Sequence, residues 1–446
     1  MIQTLRRRVL LGGIAAAAPI VAACAAGGTP AEQAPAIGAK EMTLTWQVEM
    51  QAPELAKVPE FLTEWSQRYP KVKVEAQHFG GGDGEKIEKM LTMAAAGSPV
   101  DVVGKLTFLQ PLASPGGLQA IDALVKRDKF DLSKQNKNWL NDFDSYQGKL
   151  YGLPYGMGGS AMVFVYNRSH FQQEGLKEPS ADWKNPWTWE EYRQAAIKLT
   201  KRQGDTMTRA GAEQIGNFAN SVPMPWGGVW LKDHKTAACD SPEMIEAYTK
   251  YSDLIFKDRV NTFSPGAENL GAQHERFYNG NVSMHWILGS RLPAFTDPSI
   301  YKVDWAMVPL PKGTLPNSPA ASGDVDTIQL ALANQKTLDE SWAFLRYCLE
   351  KARYAWMMNR LPTTTEDASA WAKENFKRVP ATARTEVIVN GIAVARPQDP
   401  IRSHPKVTDI DRDVRTPFQN DLRAQKIAVK DALIEARRKI AGIIGT

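Results

Sequence analysis

The chain has 446 residues, 43% hydrophobic and 23% charged, an ordinary globular composition with room for two or more cores, so disorder and collagen-like repeats are excluded. The formal charge of +5 falls to +2 once Arg6, Arg7 and Arg8 are set aside, which gives no electrostatic case for nucleic acid. Three cysteines do not make a disulfide scaffold, although Cys239 and Cys348 leave a single bridge open beside the alternative of packed core thiols.

In chain order, the first element is an uncharged run from Val9 to Ala23 behind the three arginines, the layout of a secretory signal. It is shorter than the ~20 residues that a membrane span needs. Val21, Ala22, Ala23 and Cys24 resemble the bacterial lipobox. That resemblance implies a signal peptide at 1–23, cut before Cys24, and acylation of the Cys24 sulfur. Arg6 to Leu10 also resemble a twin-arginine signal, which exports a folded chain; general secretory export stays open beside it. Two acyl chains hold stably because each buried methylene contributes ~0.8 kcal/mol. Residues 24–41 are small, with Gly and Pro and little to bury, and read as a flexible tether. The expected location is the extracytoplasmic face of a bacterial cell membrane, periplasmic where there is an outer membrane.

"MTLTWQVEM" (42–50) then reads as a strand, "VPEFLTEWSQRYP" as an amphipathic helix ending at Pro70, and "KVKVEAQHF" as an alternating strand. A Gly-rich loop, "GGGDGEK", leads into a helix with Ile87, Leu91 and Ala94 on one stripe and a short strand at 100–103. Thr188 with Glu191 forms a capping box, and Ser241 with Pro242 opens another helix. Strand patterns return at "VDWAMVPLPKG" and "DVDTIQLALA", before a helix containing "SWAFLRYCL". Alternating strands and helices imply sheets covered on both faces, with ligands beyond the strand ends.

Catalytic and metal patterns fail by position. His274 and Glu275 begin a metalloprotease motif, but Tyr278 stands where a second His is required. Ser160 sits in "GMGGSAM", where Met162 replaces the closing Gly of a nucleophile elbow. "DIDRDV" (409–414) begins like a calcium loop and has Val414 in place of its Gly, so it reads as a charged turn. In "GGGDGEK" the helix start already carries Asp83 and Glu85, which suits a neutral polyhydroxyl ligand better than a phosphate, with a plain turn as the alternative. No metal and no cofactor is expected.

The segments "KLYGLPYG", "VYNRSHFQQEGLKEP", "FYNGNVSMHWILGS", "VDWAMVPLPKG", "SWAFLRYCL" and "NRLPTTTE", in this order, resemble the family 1 extracellular solute-binding proteins of ABC importers, the maltose and glycerol-3-phosphate type. The resemblance runs from about residue 42 to the C-terminus. It implies an α/β, two-lobe periplasmic-binding-protein fold with discontinuous lobes joined by hinge crossings: 42–153 with 307–350 as lobe 1, and 154–306 with 351–446 as lobe 2. It also implies a monomeric, non-enzymatic receptor that hands its solute to permease subunits.

Thirteen tryptophans suggest a sugar, whose apolar C–H faces stack on aromatic rings. Trp65, Trp342 and Trp356 are assigned to core, whereas Trp226 and Trp230 lie among Pro and Gly in "PMPWGGVWL", a loop context that admits either ligand stacking or core. With the resemblance, the expected ligand-binding set is Trp46 at the end of the first strand, Asp101 before the next, Tyr155 in the crossing, Trp226, Trp230, Trp286 and Arg291 around "ILGS", and Asp324 in "SGDVD". The expected solute is a mono- or oligosaccharide. A polyol phosphate is the alternative, requiring cleft Arg and Lys, and a glycoside hydrolase built on two of Asp101, Asp324 and Asp326 is the other.

Overall fold

The structure, a computed structural model, describes residues 36–50, 52–106, 109–135, 137–142, 144–157, 161–213, 221–272, 275–288, 294–295, 303–319, 327–394 and 399–446. Its strands are β1 (Met42–Val48), β2 (Val72–His78), β3 (Val102–Leu106), β4 (Gly152–Met157), β5 (Ala161–Asn167), β6 (Met284–Leu288), β7 (Trp305–Val308) and β8 (Thr327–Leu332). The helices that position the site are α1 (Asp83–Ala95), α2 (Lys137–Asp142), α3 (Trp189–Leu199), α4 (Pro242–Phe256), α5 (Leu338–Leu349), α6 (Arg353–Met357), α7 (Thr365–Asn375), α8 (Val407–Ile410) and α9 (Val429–Ile444).

The first sheet runs β2-β1-β3-β8-β4. β1 pairs in parallel with β2, Trp46 opposite Ala76, and with β3, while β8 lies antiparallel between β3 and β4. Alternation along β1 sends Leu44, Trp46 and Val48 into a core with Trp65, Phe344 and Tyr354. The other face is covered by Ile87, Met90 and Leu112. The second sheet, β6-β5-β7, is antiparallel. β5 supplies Phe164 and Tyr166 to a core with Trp189, Tyr248 and Phe418, and Val163 and Val165 to another with Trp183, Trp371 and Ile388. Both sheets are thus buried on two faces, as the alternating pattern implies.

Local signals hold where the chemistry is local. The capping box is formed, Thr188 Oγ1 accepting from the Glu191 N–H at 3.2 Å and Glu191 Oε2 accepting from the Thr188 N–H at 2.7 Å, and α3 starts there. Ser241 caps α4. The helix expected to end at Pro70 is broken into two short ones, Val58–Phe61 and Thr63–Arg68. The expected turn at 409–414 is instead helical, α8 followed by a wide, π-type turn at Asp411–Arg415.

The lobe boundaries differ from those expected. Pro154 and Tyr155 still belong to the first sheet, and β7 pairs with β5 through Val308 in the second. α6 buries Tyr354, Ala355 and Met357 in the first core, and the second resumes at Leu361. The last crossing therefore lies near 359–361 rather than at 350, because the apolar face of α6 has to be covered before the chain can leave. This crossing lies against β4, an edge strand. Thr363 Oγ1 donates to the Pro154 carbonyl at 3.2 Å, and a Cβ at Gly156 would stand 3.1 Å from that of Arg360. Cys239 and Cys348 are free, buried in different lobes, so the bridge left open by the sequence does not form.

Candidate functional site between the lobes

The parallel strands of the first sheet end toward the second lobe. β2 leads through a Gly turn, Gly81 at φ +88°, into the N-terminus of α1. There Asp83, Gly84, Glu85 and Glu88 face Thr408, Asp411 and Arg412 of the second lobe across a cavity of about 680 Å3. The lobes approach closely at its margin: a Cβ at Gly84 would lie 3.7 Å from the Thr408 methyl. Glu85 folds back over Gly81, so the helix start that resembles an anion nest is occupied by the chain's own carboxylates.

A charged cluster sits at these strand ends. Glu49, directly after β1, accepts from Lys105 of β3 at 2.6 Å through Oε1 and from Lys86 of α1 through Oε2. Asp83 accepts from Lys86 at 2.8 Å. The Lys86 side chain is only 2% exposed, so its charge is tolerable only between these two carboxylates. Burial works against the Lys86 ammonium, but Asp83 and Glu49 outweigh it and hold its pKa above the ordinary lysine value. Burial likewise works to raise Glu49, and the hydrogen bonds and charges of Lys105 and Lys86 hold it below the ordinary glutamate value. Within this cluster two carboxylates balance two ammoniums, and Glu85 and Glu88 add negative charge to the first lobe's side of the cavity. The Met50 N–H donates to His78 Nδ1 at 3.3 Å, and Lys89 lies 3.7 Å over the Phe79 ring.

Six of the ligand-binding candidates are described. Tyr155 is buried against Tyr354, ring centroids 4.3 Å apart; burial raises its pKa strongly, and the charge of Arg360 works against that rise. Trp46 is core, enclosed by Phe61, Phe344 and Tyr354 at 5.0 to 5.8 Å, because alternation turns it to the inner face of the sheet with Leu44 and Val48. Asp101 lies at the start of β3, the end opposite the cavity. Its carboxylate accepts from the Thr45 N–H at 2.6 Å, Thr45 Oγ1 at 2.8 Å, Asn334 Nδ2 at 2.9 Å and the Thr337 hydroxyl, which leaves it no capacity for a solute.

Trp226, Trp230 and Trp286 are also corrected to core, at 1%, 0% and 2% exposure. Trp226 packs against Trp189, centroids 4.6 Å apart and planes inclined at 59°, and donates to Thr314 Oγ1 at 3.0 Å. Trp230 packs on Tyr248 and Phe418, its loop held by Asp399, which accepts from the Trp230 and Leu231 N–H groups. Trp286 meets Phe164 at 4.7 Å. Pro and Gly around a Trp exclude a regular helix, not burial. Arg291, Asp324 and Cys24 lie outside the described residues. Sequence reasoning does not single out Glu49, Lys86 or Lys105; the available signal is a carboxylate just past a strand with a Lys in the first turn of a following helix.

A second cavity of about 540 Å3 is lined by Arg68, Tyr69, Tyr155 and Glu350 of the first lobe and Thr363 and Glu366 of the second. Arg68 and Tyr69 precede β2, at the opposite end of the sheet, and Arg68 is paired with Glu350 and Glu64. It is therefore the weaker candidate. Among the described residues, no helix is long and apolar enough to cross a membrane, and no group of three His, Cys, Asp or Glu side chains is placed to hold a metal.

Residues 51–353 match the model of the bacterial extracellular solute-binding protein family. The chain belongs to this family. It is a family of receptors rather than enzymes, and its fold is the expected one. The ABC substrate-binding protein of Listeria monocytogenes solved with cycloalternan superposes over 91% of this chain and 100% of its own, with a TM-score of 0.72 and 19% identity. The maltose/maltodextrin-binding domain of Bdellovibrio bacteriovorus, bound to maltotriose, covers the same shares at a TM-score of 0.67 and 16% identity. A putative binding protein of Brucella abortus is 23% identical over 229 residues, 50% of this chain and 52% of its own length. The chain thus spans about half the length of the curated relatives it matches.

Proposed function

We propose that this family member captures a neutral saccharide or polyol between its lobes and delivers it to the permease of an ABC importer, held at the membrane by a lipid on Cys24. The charge of the cleft wall carries the choice of solute: both of its ammoniums are already paired with carboxylates, and Glu85 and Glu88 add negative charge beside them. Glu49 and Asp83 neutralise Lys86 and Lys105, so a phosphate would have to take ammonium groups away from half-buried carboxylates, whereas hydroxyl groups can add to both without displacing either. This disfavours the polyol-phosphate alternative. The sugars bound by structural relatives support the same choice. This reading keeps Arg291 and Asp324 as ligand contacts; Tyr155 lines the other, weaker cavity, and Trp46, Asp101, Trp226, Trp230 and Trp286 are committed within the lobes.

A thermal-shift screen over neutral sugars, polyols and glycerol 3-phosphate tests it. A ligand at ~100 times its Kd adds about 2.7 kcal/mol of native stability, and each kcal/mol moves the midpoint by roughly 2 to 4 °C in domains of this size. A response confined to phosphorylated compounds would overturn the charge argument.

A further inference from the structure

The second lobe's wall of the cavity, Thr408, Asp411 and Arg412, is carried on α8 and the wide turn after it. What fixes that segment is His404. Its ring is nearly enclosed, the residue being 7% exposed, and both nitrogens are committed. Nε2 lies 3.1 Å from the His234 carbonyl, which can only accept, so Nε2 carries the proton. The Lys406 N–H, which can only donate, points at Nδ1 from 3.0 Å, so Nδ1 carries none. The His404 carbonyl then accepts from the Val407 N–H at 3.0 Å, the first residue of α8, and the Lys406 carbonyl accepts from Ile410. The imidazole thus ties the β-hairpin around His234 to the first turn of the helix that faces lobe 1.

We infer that His404 is a positioning residue for the second wall of the cleft and holds it only as the neutral imidazole, so that acid loosens α8 and opens this wall. A proton added at Nδ1 would confront the Lys406 N–H with a second donor and remove the bond that starts the helix. Among the described side chains around it, the carboxylates are already committed elsewhere. His234, whose ring centroid is 5.4 Å away, and Lys406 both oppose its protonation. On the hairpin, Asp233 accepts from the Lys235 N–H and the Thr236 hydroxyl, and Lys235 adds positive charge. On the turn before His404, Asp399 is committed to the Trp230, Leu231 and Ile401 N–H groups, and Arg402 is a cation. On α8, Asp409 pairs with Arg412. α2 of lobe 1, which packs on the same turn, contributes the cation Lys137. Burial, then His234, lowers the His404 pKa below the ordinary histidine value. A depressed histidine contributes stability that is present above about pH 6.5 and is lost as pH falls through the folded value.

The consequence for solute release rests on the cleft being the binding site, but the switch itself is testable without any ligand. Hydrogen–deuterium exchange of the whole chain, corrected for intrinsic rates, is compared at about pH 7.5 and about pH 5. Protection of amides 404–412 should fall about tenfold or more in acid, while peptides from β1 change little. In His404→Asn, whose side-chain oxygen still accepts from the Lys406 N–H and cannot titrate, the acid loss should vanish. His234→Gln should keep it. Unchanged protection at 404–412 in the parent chain, an equal loss in β1, or an acid loss that survives in His404→Asn and disappears in His234→Gln would each overturn the assignment. The parent measurement alone decides if a variant fails to fold.

Discussion

Lys105 Nζ stands 2.6 Å from Glu49 Oε1, so a side chain on β3 closes onto the residue that directly follows β1. One lies on β3 and the other just past its parallel neighbour β1, and Lys86 of α1 completes the link on the other carboxylate oxygen. Here three separate elements of the first lobe meet at the cleft through charge.

Glu49→Gln should leave Lys86 buried with one carboxylate instead of two and cost about 1 to 3 kcal/mol in denaturant unfolding. It should also weaken solute binding. The pH dependence carries opposite signs for the two partners. The lowered pKa of Glu49 gives stability present above about pH 4.5 and lost as pH falls through its folded value, whereas the raised pKa of Lys86 gives stability present below about pH 10.5 and lost as pH rises through its own. The acid limb of a stability–pH curve should flatten in Glu49→Gln; an unaltered acid limb would count against the network.

Trp226→Ala and Trp230→Ala should each lose about 3 to 5 kcal/mol of stability without ligand, since both rings fill the second lobe's core. Ligand-free unfolding midpoints check this. If both variants melt like the parent yet bind solute poorly, the rings serve the cleft after all.

Asp101→Asn keeps the shape but removes a charge that accepts from Thr45, Asn334 and Thr337. The expected loss is about 1.5 to 3 kcal/mol, with solute affinity unchanged once the chain is folded. Titration calorimetry showing a large affinity loss at unchanged stability would return Asp101 to the binding set.

Cys24→Ala should leave fold and affinity intact and move the protein from the membrane pellet to the soluble fraction, because acylation needs the thiol. Continued pelleting would remove the lipid anchor from the proposed function.

The sheets, the capped helices and the receptor family were legible because their signals are local: alternation, Thr188 with Glu191, Ser241 with Pro242, and a fixed order of short motifs. The boundaries slipped where partners are remote. Nothing near Trp305 announces that β7 pairs with β5, and nothing near Glu350 tells that α6 must still cover Trp46. The site failed for a related reason. Whether Trp230 faces a ligand or Phe418 depends on a helix almost two hundred positions later, and the Glu49 cluster joins residues 37 and 56 positions apart. Asp101 misled because a carboxylate beside a strand looks alike at either end of it, while only one end faces the cavity.

The crossing that passes Gly156 and Pro154 bears on how these molecules coexist at high local density. An uncovered strand rim recruits the rim of another copy, and such pairing leads to swapped or fibrous assemblies. Here the segment that crosses between the lobes also lies against β4, with Pro154 withholding an amide and Thr363 occupying its carbonyl. Rotation of one lobe on the other therefore need not expose a template for intermolecular strand exchange.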